Sequence, residues 1–530
     1  MDVGTRIALI EAGSPGLNIY SHVAMGRGVP LLATVVRDAG YDVRAYIEDI
    51  SGKDSVDWEW VRTAAVVGFS TITCTLPRTL ELVEHLRSVN PGAVVVFGGP
   101  ESTCHPARSF ECGADCVLKG EAEHTLPRLL DIITGRSAGR LGEVPGLMWR
   151  AEGGIAEGLP VRQLTAAELD ALPPVDRTLI HSAEGASVAS VWRTRGCPGK
   201  CDFCEVRELY PRCVRRSDER TLEELMAAQS DGYATTFLID DNAAASKPAF
   251  VKFLESIVDR GYARMLVIQM RADAAFRSDG RLDREFLRLL KKAAAVTVVC
   301  VGVESATDAN LEELGKQTDA NRTARALKAM RRRGLLVHGM FIALKNDTCE
   351  VIARNGVYAR RYVTSLQYLF ETPLPGTRRT REHEADGSLL FTSVRDLRLY
   401  DGMHVVLQPL KMPAEEMQVR VLREYRKFYS AVRIVSAALR GAFLRFRLLD
   451  RGQRAYLRQV RGIRRLRLWL RLHFEYKFAP VAFIATGRAR LKAMLRDAEY
   501  AAYLELLSKS SAALRSDGDQ GASSARSAVR

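Results

Sequence analysis

Thr194-Arg-Gly-Cys-Pro-Gly-Lys-Cys-Asp-Phe-Cys-Glu205 decides how the rest of the chain is read. It sets Cys197, Cys201 and Cys204 in a C-x3-C-x2-C spacing directly after the β-rich run Ser187–Trp192. Three thiolates on one tight loop can hold three irons of a [4Fe–4S] cube. A cube held wholly by protein takes four cysteines, so three leave one iron open to a small molecule. Zinc completed by Cys213 is the competing reading, because short cysteine spacings also suit that metal.

Outward from this loop, the chain repeats strand, loop and helix. The patterning predicts strands at Ser187–Arg193, Thr235–Ile239, Met265–Gln269, Val296–Val303, Val337–Ala343 and Ser365–Phe370. Helices are expected at Thr221–Ser230, Pro248–Arg260, Asp283–Ala294, Arg322–Arg333 and Cys349–Tyr362. Six such units make a partial (β/α)6 barrel over residues 187–405, with chemistry at the carboxyl ends of the strands. The cysteine loop follows the first strand, Asp240-Asp241-Asn242 the second, Gln269-x-Arg271 the third and Glu304-Ser305 the fourth. Taken singly, Asp-Asp-Asn could be a turn, and Glu-Ser could cap the helix beginning near Asp308. Their recurrence at successive strand ends favours a site.

Residues 1–135 read as a separate α/β unit. Strands Arg6–Glu11, Asp42–Tyr46, Ala64–Ser70, Ala93–Phe97 and Asp115–Leu118 alternate with helices such as Pro30–Ala39 and Leu76–Ser88. That rhythm predicts a Rossmann-like parallel sheet with ligands beyond its carboxyl edge. The edge carries Ser70-Thr71, Gly98-Gly99 and Gly120-Glu121, small groups that let a large flat ligand approach the backbone. A dinucleotide site would want G-x-G-x-x-G after the first strand, and Glu11–Asn18 does not supply it. Residues 136–186, with Gly153-Gly154 and Leu172-Pro173-Pro174, read as a connector.

The flanks of the cysteine loop (Arg-Gly-Cys-Pro, Cys-Asp-Phe-Cys) resemble the radical S-adenosylmethionine (SAM) superfamily. VGFS, VVVFGGP and VLKGEAEHTL resemble the cobalamin-binding domain that precedes the barrel in one large subclass. VPGLMWR, LIDDN, VGVES with GKQT, and FETPLPGT resemble that subclass too, over roughly residues 5–410. The resemblance implies a [4Fe–4S] cluster on Cys197, Cys201 and Cys204, with SAM beside Asp240, Arg271, Glu304 and Ser305. It implies cobalamin against Ser70, Thr71, Gly98, Gly99, Gly120 and Glu121. Glu101 stands where the family usually has His, and no D-x-H-x-x-G occurs, so no lower axial histidine is expected. The implied activity is reductive cleavage of SAM followed by methylation of an unactivated carbon. Cyclisation or rearrangement is the alternative within the subclass, and tRNA modification the alternative outside it. A flavodoxin or ferredoxin is the implied electron donor.

Composition sets the remaining limits. The 530 residues are 47% apolar and 26% charged, ordinary for a globular chain of several domains. Ten cysteines form no regular framework, which argues against a disulfide scaffold and suits a reducing cytoplasm. No secretory signal or apolar run of spanning length is read. The net charge is +14, and residues 431–496 hold 17 Arg and Lys against Asp450 and Glu475. The basic character therefore belongs to a helical region expected over residues 406–507. Within it, arginines alternate with Leu, Phe and Trp from 442 to 495. Such a run fits peripheral contact with the inner membrane face or a lipidic substrate; nucleic acid and a plain structural cap are the rivals. Residues 508–530 are Ser/Ala/Gly/Asp-rich and are expected to be disordered.

Overall fold

The computed structural model describes residues 4–14, 28–183, 188–443, 479–497 and 499–510. In the first domain, β-branched runs with little polar alternation become strands covered on both faces. These are β1 (Arg6–Glu11), β2 (Asp42–Ile47), β3 (Val66–Ser70), β4 (Val94–Gly98) and β5 (Cys116–Leu118). They pair in parallel in the order β2-β1-β3-β4-β5. One face buries Ile7, Leu9 and Val96 under Val29, Ala33 and Leu129. The other buries Ala8, Phe69 and Phe97 in a core that runs without a break into that of the barrel.

The expected connector contributes to this sheet. β6 (Leu147–Ala151) and β7 (Gly154–Glu157) form an antiparallel hairpin on β5, turned at Gly153-Gly154 with φ of 95° and 146°. Trp149, Arg150 and Glu157 interrupt the apolar alternation that would have announced these strands, because an edge hairpin is largely solvated. Ile180 then pairs with Ala45 in a further parallel bridge.

The barrel is a half-open sheet. β8 (Val188–Val191) is followed by a two-residue antiparallel ribbon, β9 (Thr194–Arg195) and β10 (Val214–Arg215), that brackets the cysteine loop. β11 (Thr235–Leu238), β12 (Met265–Gln269), β13 (Val296–Glu304), β14 (Leu336–Ala343) and β15 (Ser365–Phe370) follow. β8 and β11 to β15 are all parallel and in sequence order. Helices Asp218–Ser230, Lys247–Asp259, Arg284–Lys292, Ala320–Arg332 and Cys349–Tyr362 cover the outside. Val299, Val301, Val337 and Phe341 face them and are buried, whereas His338, Met340, Gln367 and Leu369 on the inner parity are half-buried.

The helices after residue 413 belong to the barrel. Helix Ala414–Phe428 lies against Cys349–Tyr362. The Tyr425 and Tyr429 hydroxyls bond the backbone of Tyr368 and Leu366 in β15. Helical residues 479–494 bring Ala479 and Phe483 onto Val298 and Leu336, closing the base. The basic run expected from 442 to 495 is described only in part, since 444–478 lies outside the described residues, as do 511–530 of the expected disordered tail. Among the described residues no helix is long and apolar enough to cross a membrane.

Candidate cofactor site

Two carboxylates after β11 shape the cysteine loop. Asp240 Oδ1 accepts from the backbone N–H groups of Arg193 (2.6 Å) and Thr194 (3.0 Å). Asp241 Oδ2 accepts from Gly196 N–H at 3.0 Å. Gly196 has φ 86°, and a Cβ there would lie 2.6 Å from the Arg212 carbonyl oxygen, so the turn into Cys197 requires glycine. Asp240 is wholly buried and acts on the loop backbone. Asp241 faces the cavity described below, and burial pushes its carboxyl up to about 6.

Cys197, Cys201 and Cys204 are half-buried, whereas Cys213 is exposed. Burial raises the Cys204 thiol to about 12. It also raises Cys201, against the opposing charges of Lys316 and Arg271. Among the described residues no three His, Cys, Asp or Glu side chains converge closely enough to hold one metal ion. Thiols that each take a different iron of a cube have no need to converge. The donor set, three thiols with two cations beside one of them, fits an anionic cluster.

An ion pair frames the loop from the barrel side. Lys316 Nζ lies 2.8 Å from Glu304 Oε1, both side chains 8% exposed, and 3.3 Å from the Gly302 carbonyl oxygen. Glu304 has φ 59° just after a bulge in β13, and a Cβ on Gly302 would meet its carboxylate at 2.4 Å. Glu304 is thus a non-glycine residue held in the left-handed region at a strand end, a strained backbone position. Arg271 pairs with Asp273 at 3.1 Å, and its Nη1 comes within 4.0 Å of where a Gly199 Cβ would sit. Ser305 is turned inward, its hydroxyl 3.0 Å from Thr307 Oγ1 and 3.3 Å from Asn355 Oδ1. Of the four residues expected beside SAM, Arg271 and Glu304 lie close enough to Cys201 for their charges to act on its thiol, whereas Asp240 and Ser305 bond within the protein. Lys316 was missed by the sequence reasoning, although Gly315-Lys316-Gln317-Thr318 was the signal for it.

Between the carboxyl ends of β3 to β5 and the barrel mouth lies a cavity of about 330 Å³. Ser70, Gly98, Gly99, Gly120 and Glu121 line it from the sheet; Trp192, Thr194, Arg195 and Asp241 line it from the barrel. Gly99 (φ 93°) and Gly120 (φ 77°) form a cradle in which side chains have no room. A Cβ would meet the Thr71 carbonyl oxygen at 2.7 Å in the first case and Val161 at 2.6 Å in the second. This fits a large flat ligand laid against backbone. Thr71 is not on the cavity surface: its hydroxyl bonds the Gly98 carbonyl (3.0 Å) and Ser102 (2.7 Å) behind the wall. Among the described residues that line it, none is a histidine. Glu101 is wholly buried and bonded by Thr73, His105 and Arg108. Burial works to raise its carboxyl, and those partners hold it below the ordinary value.

Arg195 and Glu123 are the other site residues absent from the sequence reading. Arg195 Nη1 reaches Glu121 Oε1 and Nη2 reaches Glu123 Oε1, each at 2.5 Å. Glu121, expected at cobalamin, is thus also tied to the barrel.

Comparison with known proteins agrees with this geometry. The B12 binding domain model matches residues 21–130, and the Radical SAM superfamily model matches residues 193–353. The hopanoid C-3 methylase of Methylococcus capsulatus is 26% identical over 464 residues, covering 82% of each chain. The anaerobic magnesium-protoporphyrin IX monomethyl ester cyclase of Rubrivivax gelatinosus is 24% identical over 466 residues, covering 85% of this chain and 79% of that one. Among solved structures, the radical SAM methyltransferase TsrM from Kitasatospora setae, with cobalamin and a [4Fe–4S] cluster bound, superimposes with TM-score 0.62 at 15% identity. That match covers 92% of this chain and 99% of TsrM. OxsB with aqua-cobalamin and SAM bound gives 0.61 at 13% identity, covering 98% and 81%. The two matched domain models, borne out by a parallel first sheet and a half-open barrel with a three-cysteine loop after its first strand, place the chain in the radical SAM superfamily, among the members that carry an N-terminal cobalamin-binding domain.

Proposed function

We propose that the protein is a cobalamin-dependent radical SAM enzyme that cleaves SAM reductively and methylates an unactivated carbon of a hydrophobic or secondary-metabolite substrate. The observation that carries this reading is the single cavity wall shared by the glycine cradle of the first sheet and the loop that leads into Cys197. When bound, the cluster supplies the electron that splits SAM to a 5′-deoxyadenosyl radical, and cobalamin supplies the methyl group.

The chain's own residues hold and orient. Cys197, Cys201 and Cys204 would hold three irons, leaving the fourth for SAM. SAM carries an ammonium and a carboxylate, and beside the cysteine loop the barrel offers the Glu304 carboxylate and two cations, Arg271 and Lys316. Because Lys316 occupies Glu304 Oε1, Oε2 is the atom available to an ammonium group. Gly98, Gly99 and Gly120 would admit the corrin to the backbone, and Leu9, Phe69 and Trp192 on the same wall exclude water.

The named relatives act on a hopanoid and a porphyrin ester, both polycyclic, which supports a hydrophobic substrate here. The cyclase among them supports ring closure as the second reading. The electron comes from an external carrier such as flavodoxin or ferredoxin, and the basic C-terminal run supports peripheral contact with a membrane. Anaerobic reconstitution tests the core of the proposal. Wild type should hold about four irons, four sulfides and one corrinoid; a Cys197/Cys201/Cys204→Ala variant should lose the iron and keep the corrinoid. One zinc and no iron would sink it. Salt-sensitive tRNA binding without corrinoid would favour the RNA-modifying reading instead.

A further inference from the structure

Arg195 lies in β9, two residues before Cys197, yet both its ion-pair partners belong to the other domain. Glu121 and Glu123 sit just after β5, and each takes one arm of the guanidinium at 2.5 Å. The three side chains are 12%, 4% and 8% exposed, so water screens the contact little. Each end of this contact is anchored. Glu121 Oε2 accepts from the Leu164 N–H at 2.6 Å, which ties it to the segment between the domains. On the barrel side the Arg195 guanidinium lies 4.5 Å from the centre of the Trp192 ring, and Arg216 lies 4.3 Å from the same ring. Arg216 is in turn paired with Glu224 at 2.8 Å, on the first barrel helix.

We propose that Arg195 is a positioning residue that fixes the cluster loop against the corrin cavity, so that cluster and cobalamin keep one set separation. This rests on the cofactor assignment above and goes beyond it. A buried fork between two domains is a poor choice for stability alone, since two carboxylates and a guanidinium must be stripped of water. Its gain is geometric: the planar guanidinium fork donates to two carboxylates in a fixed relative orientation. The column from Glu224 through Arg216, Trp192 and Arg195 to Glu121 and Glu123 links the barrel's helical shell to the edge where the corrin would lie. Group transfer between two separately bound cofactors depends on their spacing to within about an ångström.

The test uses the full-length protein reconstituted with cluster and hydroxocobalamin, in wild type, Arg195→Met, Glu121→Gln/Glu123→Gln, the combination of all three, and Arg195→Lys. Iron and corrinoid content come first. A wild type lacking either would overturn the cofactor assignment before any variant is compared. The deciding readout is the broadening of the Co(II) electron paramagnetic resonance signal by the reduced cluster, which reports their separation and not turnover. Arg195→Met and Glu121→Gln/Glu123→Gln should each keep the iron and lose the wild-type broadening. The combination should be no worse than either alone, because all remove one interaction. Arg195→Lys should restore it in part. Unchanged broadening in both variants overturns the proposal. Additive losses overturn it equally, since they would mean that Arg195 and the glutamates contact the corrin independently. If Arg195→Met fails to hold iron, the Gln pair, which preserves shape and removes only charge, decides.

Discussion

Lys316 and Glu304 illustrate how a site residue is recognised by what it costs. Each is buried with its charge satisfied by the other, so removing one partner leaves a lone ion in the interior. Lys316→Met should destabilise the protein by about 3 kcal/mol or more in chemical denaturation. Lys316→Met/Glu304→Gln should recover most of that stability while still binding SAM poorly in equilibrium dialysis. Recovery of both would show that the pair is only structural. Asp347, after β14, behaves differently. Burial pushes its carboxyl up to about 7, although Asn310 and the Leu344 N–H both donate to it. The folded state therefore holds a proton that the unfolded chain releases near pH 4. Stability from this group is full below that value and declines as pH rises towards 7, then levels. Asp347→Asn should reduce the loss of stability between pH 5 and pH 8 by on the order of 2 kcal/mol, read as the difference between the two denaturation profiles. Identical slopes in the two proteins would refute the assignment.

At the scale of elements, what could be read in advance followed burial. β12 and β15 match their expected bounds residue for residue, because runs such as Met265–Gln269 are β-rich and sharply punctuated. The β6–β7 hairpin was not readable, since its strands are half-solvated and its burial pattern carries no period. The three cysteines, Arg271 and Glu304 stand at or just after strand ends, the places where a sequence reading looks for site residues. Arg195 and Glu123 could not be picked out, because the partners of Arg195 lie 72 and 74 residues away; Lys316, which folds back onto Glu304, was announced only by Gly315-Lys316-Gln317-Thr318. Ser305 and Thr71 also stand at strand ends, with their hydroxyls bonded within the protein, since small polar residues there can serve the backbone as readily as a ligand. Packing between elements gives its own prediction. A Cβ on Gly487 would meet the Tyr429 ring at 2.4 Å, where helical residues 479–494 cross the end of helix Ala414–Phe428. Gly487→Val should therefore loosen the base of the barrel, seen as faster amide exchange in residues 336–338 and 479–494, with the corrin site unaffected. Protection equal to wild type would mean that the helix can shift to make room.

Across the whole molecule, charge and fold part company at the C-terminal end. Helical residues 479–494 and 499–510 are structural: Phe483 sits on the base of the barrel, and the Tyr503 hydroxyl bonds Val405 and Gln418. Helix Ala431–Phe443, by contrast, leaves Val432, Val435 and Leu439 exposed at 77%, 57% and 53%. An apolar stripe of that kind, directly followed in sequence by Arg445, Arg447, Arg451 and Arg454, has the composition of a surface that meets lipid. If it does, binding to vesicles containing phosphatidylglycerol should appear at low salt and fade as salt rises. Replacing Arg461, Arg464, Arg465 and Arg467 by Gln should weaken it by roughly 1 kcal/mol per residue, more than a hundredfold in all. Cofactor content should not change, because Ala479 and Phe483, which cover the barrel floor, are kept. Truncation after residue 443 is the contrasting variant, for it strips Ala479 and Phe483 from Val298 and Leu336 and should cost soluble protein. A wild type that ignores anionic vesicles at low salt would assign the basic run to the protein's own surface, and a hydrophobic substrate would then have to enter the cavity from solution.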